Sequence, residues 1–297
     1  MTLKTGVIGL GNMGGGMAAT LASKGFDVSG FDLSQAALSQ AESKGVKPVA
    51  DRKALIQSVD VLILSLPKAE HVESVCLGAD GIRELGRAGL IVVDTTTSTP
   101  EMSRKVAAEL AKSGIAFIDA PVSGGPKGAA TGTMSMVIGA EDADLARAMP
   151  VLEGMSGVRV HVGQCGAGNV AKIANNMLTA CHLISTAEAV AMAAKAGVDP
   201  EKLLQGLNAG SGRSGATQVM FPNWVLNKAY DSGFTMGLMR KDVGLASDLA
   251  DSLDMDLPLS RVVAQLWKAS SETLADKEDF CAIVQRTDAH LYGHGDK

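Results

Sequence analysis

The sequence predicts an α/β fold class, in which a doubly wound parallel sheet domain is followed by an all-helical domain. Up to about residue 160, short apolar runs alternate with helical patterns. After Gly163 almost no strand pattern is left, and helical patterns continue to the end. One long helix over about 168–195 would join the two parts. We therefore expect a sheet domain at 1–163 and a helical domain at 164–297.

Five strands are predicted in the first part, and helical stretches separate them. Their apolar runs cover residues 5–9, 28–31, 59–66, 90–94 and 115–119. Gly25 and Gly45 end two of the helices, and Thr99 before Pro100 is typical of a helix start. Strands joined through helices form right-handed βαβ units, so the sheet is expected to be parallel with helices on both faces.

The end of the first domain and the joining helix complete the predicted elements. Two edge strands at 133–139 and 158–162 flank a helix over about 142–153. The helix over 168–195 contains only three charged residues and would be roughly 40 Å long at 1.5 Å per residue. Because it is apolar nearly all round, it is expected to be buried between neighbours.

Charge and composition exclude several classes of function. The net charge of −5 and the lack of a basic run argue against a nucleic-acid-binding protein. The four cysteines form no CxxC pair and the histidines have no metal-ligand spacing, so we expect reduced thiols and no metal site. Neither a signal-peptide layout nor a stretch of about 18 apolar residues is visible. We therefore expect a cytoplasmic protein that does not bind or span a membrane.

A glycine motif, Gly9-x-Gly11-x-x-Gly14, follows the first strand and opens the first helix. The first glycine permits a tight turn, the second lets the backbone approach a pyrophosphate, and the third allows close helix–strand packing. A plain glycine-rich turn would look the same, but an acidic residue, Asp32, ends the second strand. Its carboxylate can accept hydrogen bonds from ribose hydroxyls and would repel a 2′-phosphate. The motif therefore predicts a Rossmann-type dinucleotide site with NAD rather than NADP as its cofactor.

Small and hydroxyl-bearing residues follow three of the other predicted strands. They form the segments Leu66-Pro67, Thr95-Thr96-Thr97 and Ser123-Gly124-Gly125. Ligands of open α/β sheets lie at the carboxyl ends of the strands, so we expect these segments at the ligand site. Helix capping by Thr99 leaves the three preceding threonines unexplained. For the serine and its two glycines, a flexible loop and an anion-binding nest of N–H groups are equally open.

A buried lysine is predicted near the start of the long helix. Lys172 and Asn176 are four residues apart and therefore share one helix face, with Asn175 beside them. Most helical lysines are solvated, but this helix is nearly uncharged, and two consecutive asparagines need hydrogen-bond partners. Burial lowers the pKa of a lysine towards the range useful for acid–base work. Lys172 could then exchange a proton with a substrate hydroxyl.

These motifs together resemble the β-hydroxyacid dehydrogenase family, the group of 3-hydroxyisobutyrate dehydrogenase and tartronate semialdehyde reductase. The resemblance runs over nearly the whole chain, through Asp119-Ala-Pro-Val-Ser-Gly-Gly and Lys172-Ile-Ala-Asn-Asn to Lys241-Asp242. From spacing alone, Lys241 and its neighbours Arg240 and Asp242 are a solvated charge cluster at a helix start. The resemblance implies a Rossmann-type domain, an all-helical second domain, and a homodimer or homotetramer.

The resemblance also implies roles for single residues. Cofactor binding would involve Gly9, Gly11, Asn12, Met13, Gly14, Asp32, Leu66, Pro67, Thr97 and Lys241. Substrate binding would involve Ser123, Gly124 and Gly125, and we place Asn175 with them. Catalysis would involve Lys172 as the acid/base and Asn176 as a substrate-orienting partner.

The predicted reaction is the reversible, NAD-dependent oxidation of a small 3-hydroxy acid to its semialdehyde or keto acid. Two alternatives are open. An imine reductase-like enzyme usually has a different proton donor at the position of Lys172, and the lysine argues against it. A non-catalytic dinucleotide-binding module would not need Lys172 and Asn176. The hydroxy acid itself is open, with serine, 3-hydroxyisobutyrate, glycerate and threonate among the candidates.

Overall fold

The chain divides into two compact units, one up to Lys172 and one from Ile173 onward. The computed structural model describes residues 3–293. The first unit holds a sheet with helices, and the described part of the second is helical apart from one isolated bridge, between Thr235 and Asp279. This confirms the predicted fold class. That the chain folds as separate domains with a boundary at 163–164 stays a prediction.

The first unit contains a nine-stranded sheet. Its strands are β1 (Lys4–Ile8), β2 (Asp27–Phe31), β3 (Lys47–Pro48), β4 (Val61–Leu64), β5 (Ile91–Asp94), β6 (Ala116–Asp119), β7 (Val122–Ser123), β8 (Met134–Gly139) and β9 (Ser156–Gly163). The hydrogen-bonded order is β3-β2-β1-β4-β5-β6-β8-β7, and β9 pairs with β8. Strands β1 to β6 are parallel, whereas β8 is antiparallel to β6 and β7. The order reverses between β1 and β4, which is where a doubly wound sheet binds its ligands.

Helices cover both faces of this sheet. They are α1 (Asn12–Ser23), α2 (Gln35–Glu42), α3 (Arg52–Ser58), α4 (Ala69–Leu77), α5 (Ile82–Leu85), α6 (Pro100–Ala111), α7 (Gly125–Thr131) and α8 (Asp142–Met155). Successive residues of a strand point to opposite faces. Val7 therefore packs with Met17 of α1, while its neighbour Ile8 belongs to the cluster that holds Val106 of α6.

The predicted strands agree with the observed ones to within two residues at each end, with one correction and two omissions. The strand at 133–139 was expected at an edge, but β8 lies inside the sheet because β9 pairs along it. Strands β3 and β7 were not predicted from the sequence. Each is two residues long, and so short a strand shows no alternation of apolar and polar residues.

The long helix α9 (Ala167–Lys195) has 29 residues, close to the predicted 168–195. It is not buried all round, because Leu178 and Met192 are 51% and 71% exposed. By length and composition alone this one helix of the described chain could cross a membrane, and a third of its most apolar window is buried. One such helix is weak support for a membrane protein, since the core helix of a soluble domain passes the same test.

The rest of the second unit packs against α9. Its elements are α10 (Pro200–Ala209), a π-helical segment (Ala216–Val225), α11 (Met236–Ser252), α12 (Pro258–Ala269), two 3-10 segments (Ser270–Glu272 and Phe280–Arg286) and α13 (Ala289–Tyr292). The core contains Trp267 and Tyr292, which donate hydrogen bonds from their polar atoms to the carbonyls of Ala180 and Ala187. These bonds satisfy the buried N–H and O–H groups, so the aromatic rings can fill the core without an unpaired donor.

Candidate active site

The glycine turn between β1 and α1 has the geometry of a phosphate cradle. Gly9 has a φ of +92°, and a Cβ there would lie 2.2 Å from the carbonyl oxygen of Ser65. A Cβ on Gly14 would lie 1.8 Å from the carbonyl oxygen of Gly9, so α1 packs directly on the turn. A Cβ on Gly11 would meet nothing within 4 Å. The amides of Asn12 and Met13 open α1, and N–H groups in a first turn can bind phosphate oxygens.

Asp32 is fixed over this turn at the end of β2. Its carboxylate accepts one hydrogen bond from the amide of Leu10, at 2.6 Å, and one from the amide of Ser34, at 2.8 Å. The side chain is half-buried, and a carboxylate has lone pairs for further donors. The arrangement can therefore accept hydrogen bonds from a ribose bound beside the glycine turn.

Two of the three threonines that follow β5, Thr95 and Thr96, form hydrogen bonds at the end of β4. The hydroxyl of Thr95 donates to the carbonyl of Leu64, and the hydroxyl of Thr96 accepts from the amide of Leu66. Thr99 caps α6, as predicted, by accepting from the amide of Met102. Thr97 and Leu66 are half-buried and Pro67 is exposed. The first two threonines thus shape the sheet edge on which these three residues lie.

Two buried carboxylates, which the sequence analysis did not single out, stand side by side at this edge. Asp94 ends β5 and Asp119 ends β6, and the two are partners in the strand register. Burial raises the pKa of Asp94 to about 7, although the amide of Thr96 donates to it. Burial likewise raises the pKa of Asp119 to about 6, against the effect of hydrogen bonds from the amides of Gly166 and Asn169. An acidic residue closing an otherwise apolar strand was the available signal.

Replacing Asp94 by Asn should remove part of the pH dependence of stability. The unfolded carboxyl loses its proton near its ordinary pKa of 3.8, while the folded one keeps it to about pH 7. The folded state therefore binds more protons between these values, and the free energy of unfolding falls as the pH rises from about 4 to about 7. At about 1.4 kcal/mol per pH unit, we expect Asp94 to account for a loss of about 2–4 kcal/mol.

Urea unfolding of the wild type and Asp94→Asn at pH 5 and pH 8 measures this loss. The amide oxygen of asparagine can still accept from Thr96, and the side chain never ionises. The difference between the two proteins isolates Asp94 from the remaining titrating groups, including Asp119. Equal pH dependence in both proteins would contradict the prediction.

Lys172 is buried, as the sequence predicted, with 7% of its surface exposed. Its Nζ donates a hydrogen bond to Oγ of Ser123 at 2.8 Å. The two residues are 49 positions apart in the sequence, and both belong to the first unit. A hydroxyl that already binds the amine marks a position where a substrate oxygen could meet both groups.

Ser123 and Gly125 belong to regular secondary structure, and Gly124 between them is the N-cap of α7. Ser123 lies in β7 and is paired with Ser135 of β8. Gly124, with a φ of +127°, and Gly125, with a φ of +61°, form the start of α7. Backbone with these angles favours glycine, and it turns the chain sharply after the serine. Of the two alternatives left open, this fixed turn fits a nest of N–H groups better than a flexible loop.

The remaining predicted site residues lie in the second unit. The side-chain nitrogen of Asn176 donates to Oδ2 of Asp242 at 2.6 Å, and its Oδ1 accepts from Asn175 at 3.0 Å. Nζ of Lys241 lies 3.3 Å from Oδ1 of Asp242. Asp242 is only 2% exposed. The burial of this carboxylate was not predicted, because its partner on α9 is 66 residues away in the chain.

The interpretation of residues 240–242 as a solvated charge cluster is wrong. Asp242 is buried, and Arg240 binds Ser270, Leu274 and Asp276 through its guanidinium group. The segment does lie near the start of α11, as predicted. Within residues 3–293, no group of three or more His, Cys, Asp or Glu side chains could hold a metal ion.

Two family models together match residues 4–287 of the chain. Residues 4–166 match the NAD binding domain of 6-phosphogluconate dehydrogenase. Residues 166–287 match the family model described as NAD-binding of NADP-dependent 3-hydroxyisobutyrate dehydrogenase. The two matches meet at residue 166, directly before the start of α9.

Individual relatives agree with the family models. The chain is 38% identical to 3-hydroxyisobutyrate dehydrogenase of Pseudomonas aeruginosa, over 93% of this chain and 95% of that one. It is 34% identical to 2-(hydroxymethyl)glutarate dehydrogenase of Eubacterium barkeri, over 96% of this chain and 94% of that one. A solved structure of Mycobacterium tuberculosis 3-hydroxyisobutyrate dehydrogenase with L-serine matches with a TM-score of 0.90 and 33% identity, covering 97% of this chain and 100% of that one.

Proposed function

Because the chain belongs to the family of 3-hydroxyisobutyrate dehydrogenase and related NAD-binding hydroxyacid dehydrogenases, we propose that it interconverts a small 3-hydroxy acid and its semialdehyde or keto acid. The observation that carries this proposal is the buried Lys172, whose amine binds the hydroxyl of Ser123. A dinucleotide-binding module without catalysis would have no use for a buried amine at the ligand edge of its sheet.

The residues present fit a dinucleotide. A Cβ on Gly11 would fill open space at the start of α1, where the backbone can approach a pyrophosphate. Asp32 stands beside it with a carboxylate for the ribose hydroxyls. When bound, NAD supplies the hydride acceptor of the reaction. Asn12, Met13, Leu66, Pro67, Thr97 and Lys241 complete the proposed set of cofactor contacts.

In the direction of oxidation, Lys172 takes the proton of the substrate hydroxyl, and in reduction it returns it. The amine has to be neutral to accept the proton, and ammonium to donate it. Ser123, Gly124 and Gly125 bind the carboxylate end of the substrate. The side-chain nitrogen of Asn176 carries two hydrogens, and its bond to Asp242 uses one. The second can orient the substrate, with Asn175 alongside.

A panel of hydroxy acids tests the proposal directly. L-serine, 3-hydroxyisobutyrate, glycerate and threonate are each offered with NAD, and the appearance of NADH is followed by absorbance. We expect turnover with at least one of them. Cyclic imines with NADH or NADPH form the second arm, because turnover there alone would favour an imine reductase-like enzyme. Binding of NAD without turnover in either arm would favour a non-catalytic module.

Replacing Asp32 should change the choice of cofactor. Asp32→Ala removes the acceptor for the ribose, and we expect the affinity for NAD to fall by about tenfold to a hundredfold. Asp32→Asn removes the charge that repels a 2′-phosphate and keeps one acceptor oxygen, while its NH₂ group faces the amide of Leu10 or Ser34. It should bind NADP better than the wild type and lose less affinity for NAD than the alanine variant. Wild-type enzyme that used NADP as well as NAD would contradict this role of Asp32.

The setting of the enzyme is part of the same proposal. We place it in the cytoplasm, as a homodimer or homotetramer, with a sheet domain at 1–163 and a helical domain at 164–297. Light scattering on the purified protein during size-exclusion chromatography measures its mass in solution. A monomer at micromolar concentration would contradict the oligomer.

A further inference from the structure

The start of α9 is held by two hydrogen bonds to a single buried side chain. Asp119 accepts from the amide of Gly166 at 2.7 Å through Oδ1 and from the amide of Asn169 at 2.8 Å through Oδ2. The first N–H groups of a helix have no partner within the helix, and a carboxylate there also complements the positive end of the helix dipole. Asp119 therefore caps α9 although it belongs to a strand almost fifty residues earlier.

This cap lies where the chains leading to Lys172 and Ser123 meet. Ser123 follows Asp119 by four residues, and Lys172 follows Asn169 by three, which is just under one turn of helix. The hydrogen bond between Lys172 and Ser123 then closes a ring. The chain connects Asp119 to Ser123 and Asn169 to Lys172, and the hydrogen bond from Asn169 to Asp119 completes it. In such a ring, the distance from the amine to the hydroxyl depends on how the helix start is seated.

The start of α9 packs closely enough on Asp119 to fix the position of the helix. A Cβ on Gly168 would lie 2.6 Å from the carbonyl oxygen of Asp119, and a Cβ on Gly139 would lie 2.4 Å from its Oδ1. A Cβ on Gly139 would also lie 2.9 Å from the amide nitrogen of Gly168, so backbone approaches backbone closely on both sides of the Asp119 carboxylate. Packing of this density moves as a unit rather than by gradual deformation.

A second buried side chain fixes the same helix start from the other side. Asn169 is fully buried, and its Oδ1 accepts from the amide of Ser98 while its nitrogen donates to the hydroxyl of Ser103. Ser98 directly follows Thr97, which is one of the proposed cofactor contacts. The helix start is thus bound both to the strand that leads to Ser123 and to the segment that borders the cofactor site.

From this geometry we propose that Asp119 and Asn169 are positioning residues, which seat the start of α9 so that the amine of Lys172 meets the hydroxyl of Ser123. The proposal rests on the proposed function, since it assigns the two residues a part in that same reaction. Neither acts on substrate. They act through the placement of Lys172, and a misplacement of about 1 Å can cost about 10²-fold in rate.

The variants Asp119→Asn and Asn169→Ala test the two anchors separately. In Asp119→Asn one oxygen can accept one amide, but the new NH₂ group faces the other amide as donor against donor. Asn169→Ala removes the bonds to Ser98 and Ser103. With NAD and the fastest hydroxy acid of the panel, kcat should fall by about tenfold to 10²-fold in each variant. KM and the dissociation constant of NAD should stay within about threefold, because the binding residues are untouched.

Asp199→Asn is the matched control. Asp199 caps α10 through the amide of Lys202, so the same chemical change removes the charge of a helix cap in the second unit. Its kcat should equal that of the wild type, and a fall equal to that of Asp119→Asn would show that the loss of any cap charge lowers the rate and would overturn the proposal. A folded Asp119→Asn or Asn169→Ala with wild-type kcat would overturn it too. Inactive wild type would instead refute the proposed function.

Hydrogen–deuterium exchange on the wild type tests the same contacts without depending on the folding of a variant. The amides of Gly166 and Asn169 should exchange as slowly as those in the middle of α1, since both are bound to a buried carboxylate. Fast exchange at these two amides would show that the helix start is not seated and would overturn the proposal.

Discussion

Lys172→Ala should lower kcat by at least about 10²-fold, which is the usual scale for a lost acid or base. The variant should bind NAD as tightly as the wild type. The amine is buried against the hydroxyl of Ser123, and the proposed reaction has no other group assigned to the substrate proton. The glycine turn and Asp32, which carry the main proposed contacts to NAD, are unchanged in this variant. The loss should therefore appear in turnover and not in the dissociation constant of NAD.

A second variant separates proton transfer from charge. Lys172→Arg keeps a positive charge, but a guanidinium does not give up its proton in a protein. If Lys172 only attracts the substrate carboxylate, the arginine variant should retain much of the activity. If it transfers the proton, arginine should be as inactive as alanine. We expect the latter.

Ser123→Ala serves as the companion variant. It removes the hydroxyl that binds the amine but leaves the amine in place, so we expect a higher KM for the hydroxy acid and a smaller loss of kcat than in Lys172→Ala. Initial rates over a range of substrate concentrations, together with calorimetric titration of NAD, measure all three variants. Turnover near the wild-type level in Lys172→Ala would contradict the assignment of the acid/base.

The burial of Lys172 could be predicted because its helix contains so few other charges. The long helix itself was visible as a run without Gly or Pro, and the strands were visible as apolar runs between helices. These signals are local, and the structure agrees with them. That α9 leaves Leu178 and Met192 exposed was not visible, because an all-apolar pattern does not say which face finds a partner.

The partners of the buried carboxylates could not be predicted, for a different reason. The sequence shows three acidic residues, Asp94, Asp119 and Asp242. It does not show that they are buried, because the groups around them come from distant parts of the chain. Asp119 meets amides of α9, and Asp242 meets Asn176, also on α9. A single sequence shows the residue and not the partner, so a charge that is buried and bound looks the same as a charge on the surface. The mistaken interpretation of residues 240–242 had this cause.

Gly14→Ala should both destabilise the fold and abolish NAD binding. Its Cβ would lie 1.8 Å from the carbonyl oxygen of Gly9 and 2.9 Å from Cβ of Ser65, so α1 would have to move away from the turn. Backbone against backbone cannot be relieved by a rotamer change, and we expect a cost of about 3 kcal/mol in the free energy of unfolding. The amides that open α1 move with the helix, and the phosphate cradle is lost with them.

Gly11→Ala is the matched variant, because the same methyl group enters the same turn without a clash. Gly11 has φ −62° and ψ −167°, which alanine adopts readily, and its Cβ would meet nothing within 4 Å. The free energy of unfolding should stay within about 1 kcal/mol of the wild type, the size of a changed helix cap. NAD binding should nevertheless weaken by at least about tenfold, since the methyl group occupies the space through which a pyrophosphate approaches the backbone.

Urea unfolding and calorimetric titration of NAD on the two variants distinguish the two roles of glycine. Gly14→Ala should fail in both measurements, whereas Gly11→Ala should fail only in the second. Gly11→Ala with wild-type affinity for NAD would mean that the open space at the start of α1 is not the path of the pyrophosphate. The cofactor would then have to bind elsewhere on the sheet edge, and the place of Lys172 in the reaction would have to be derived anew.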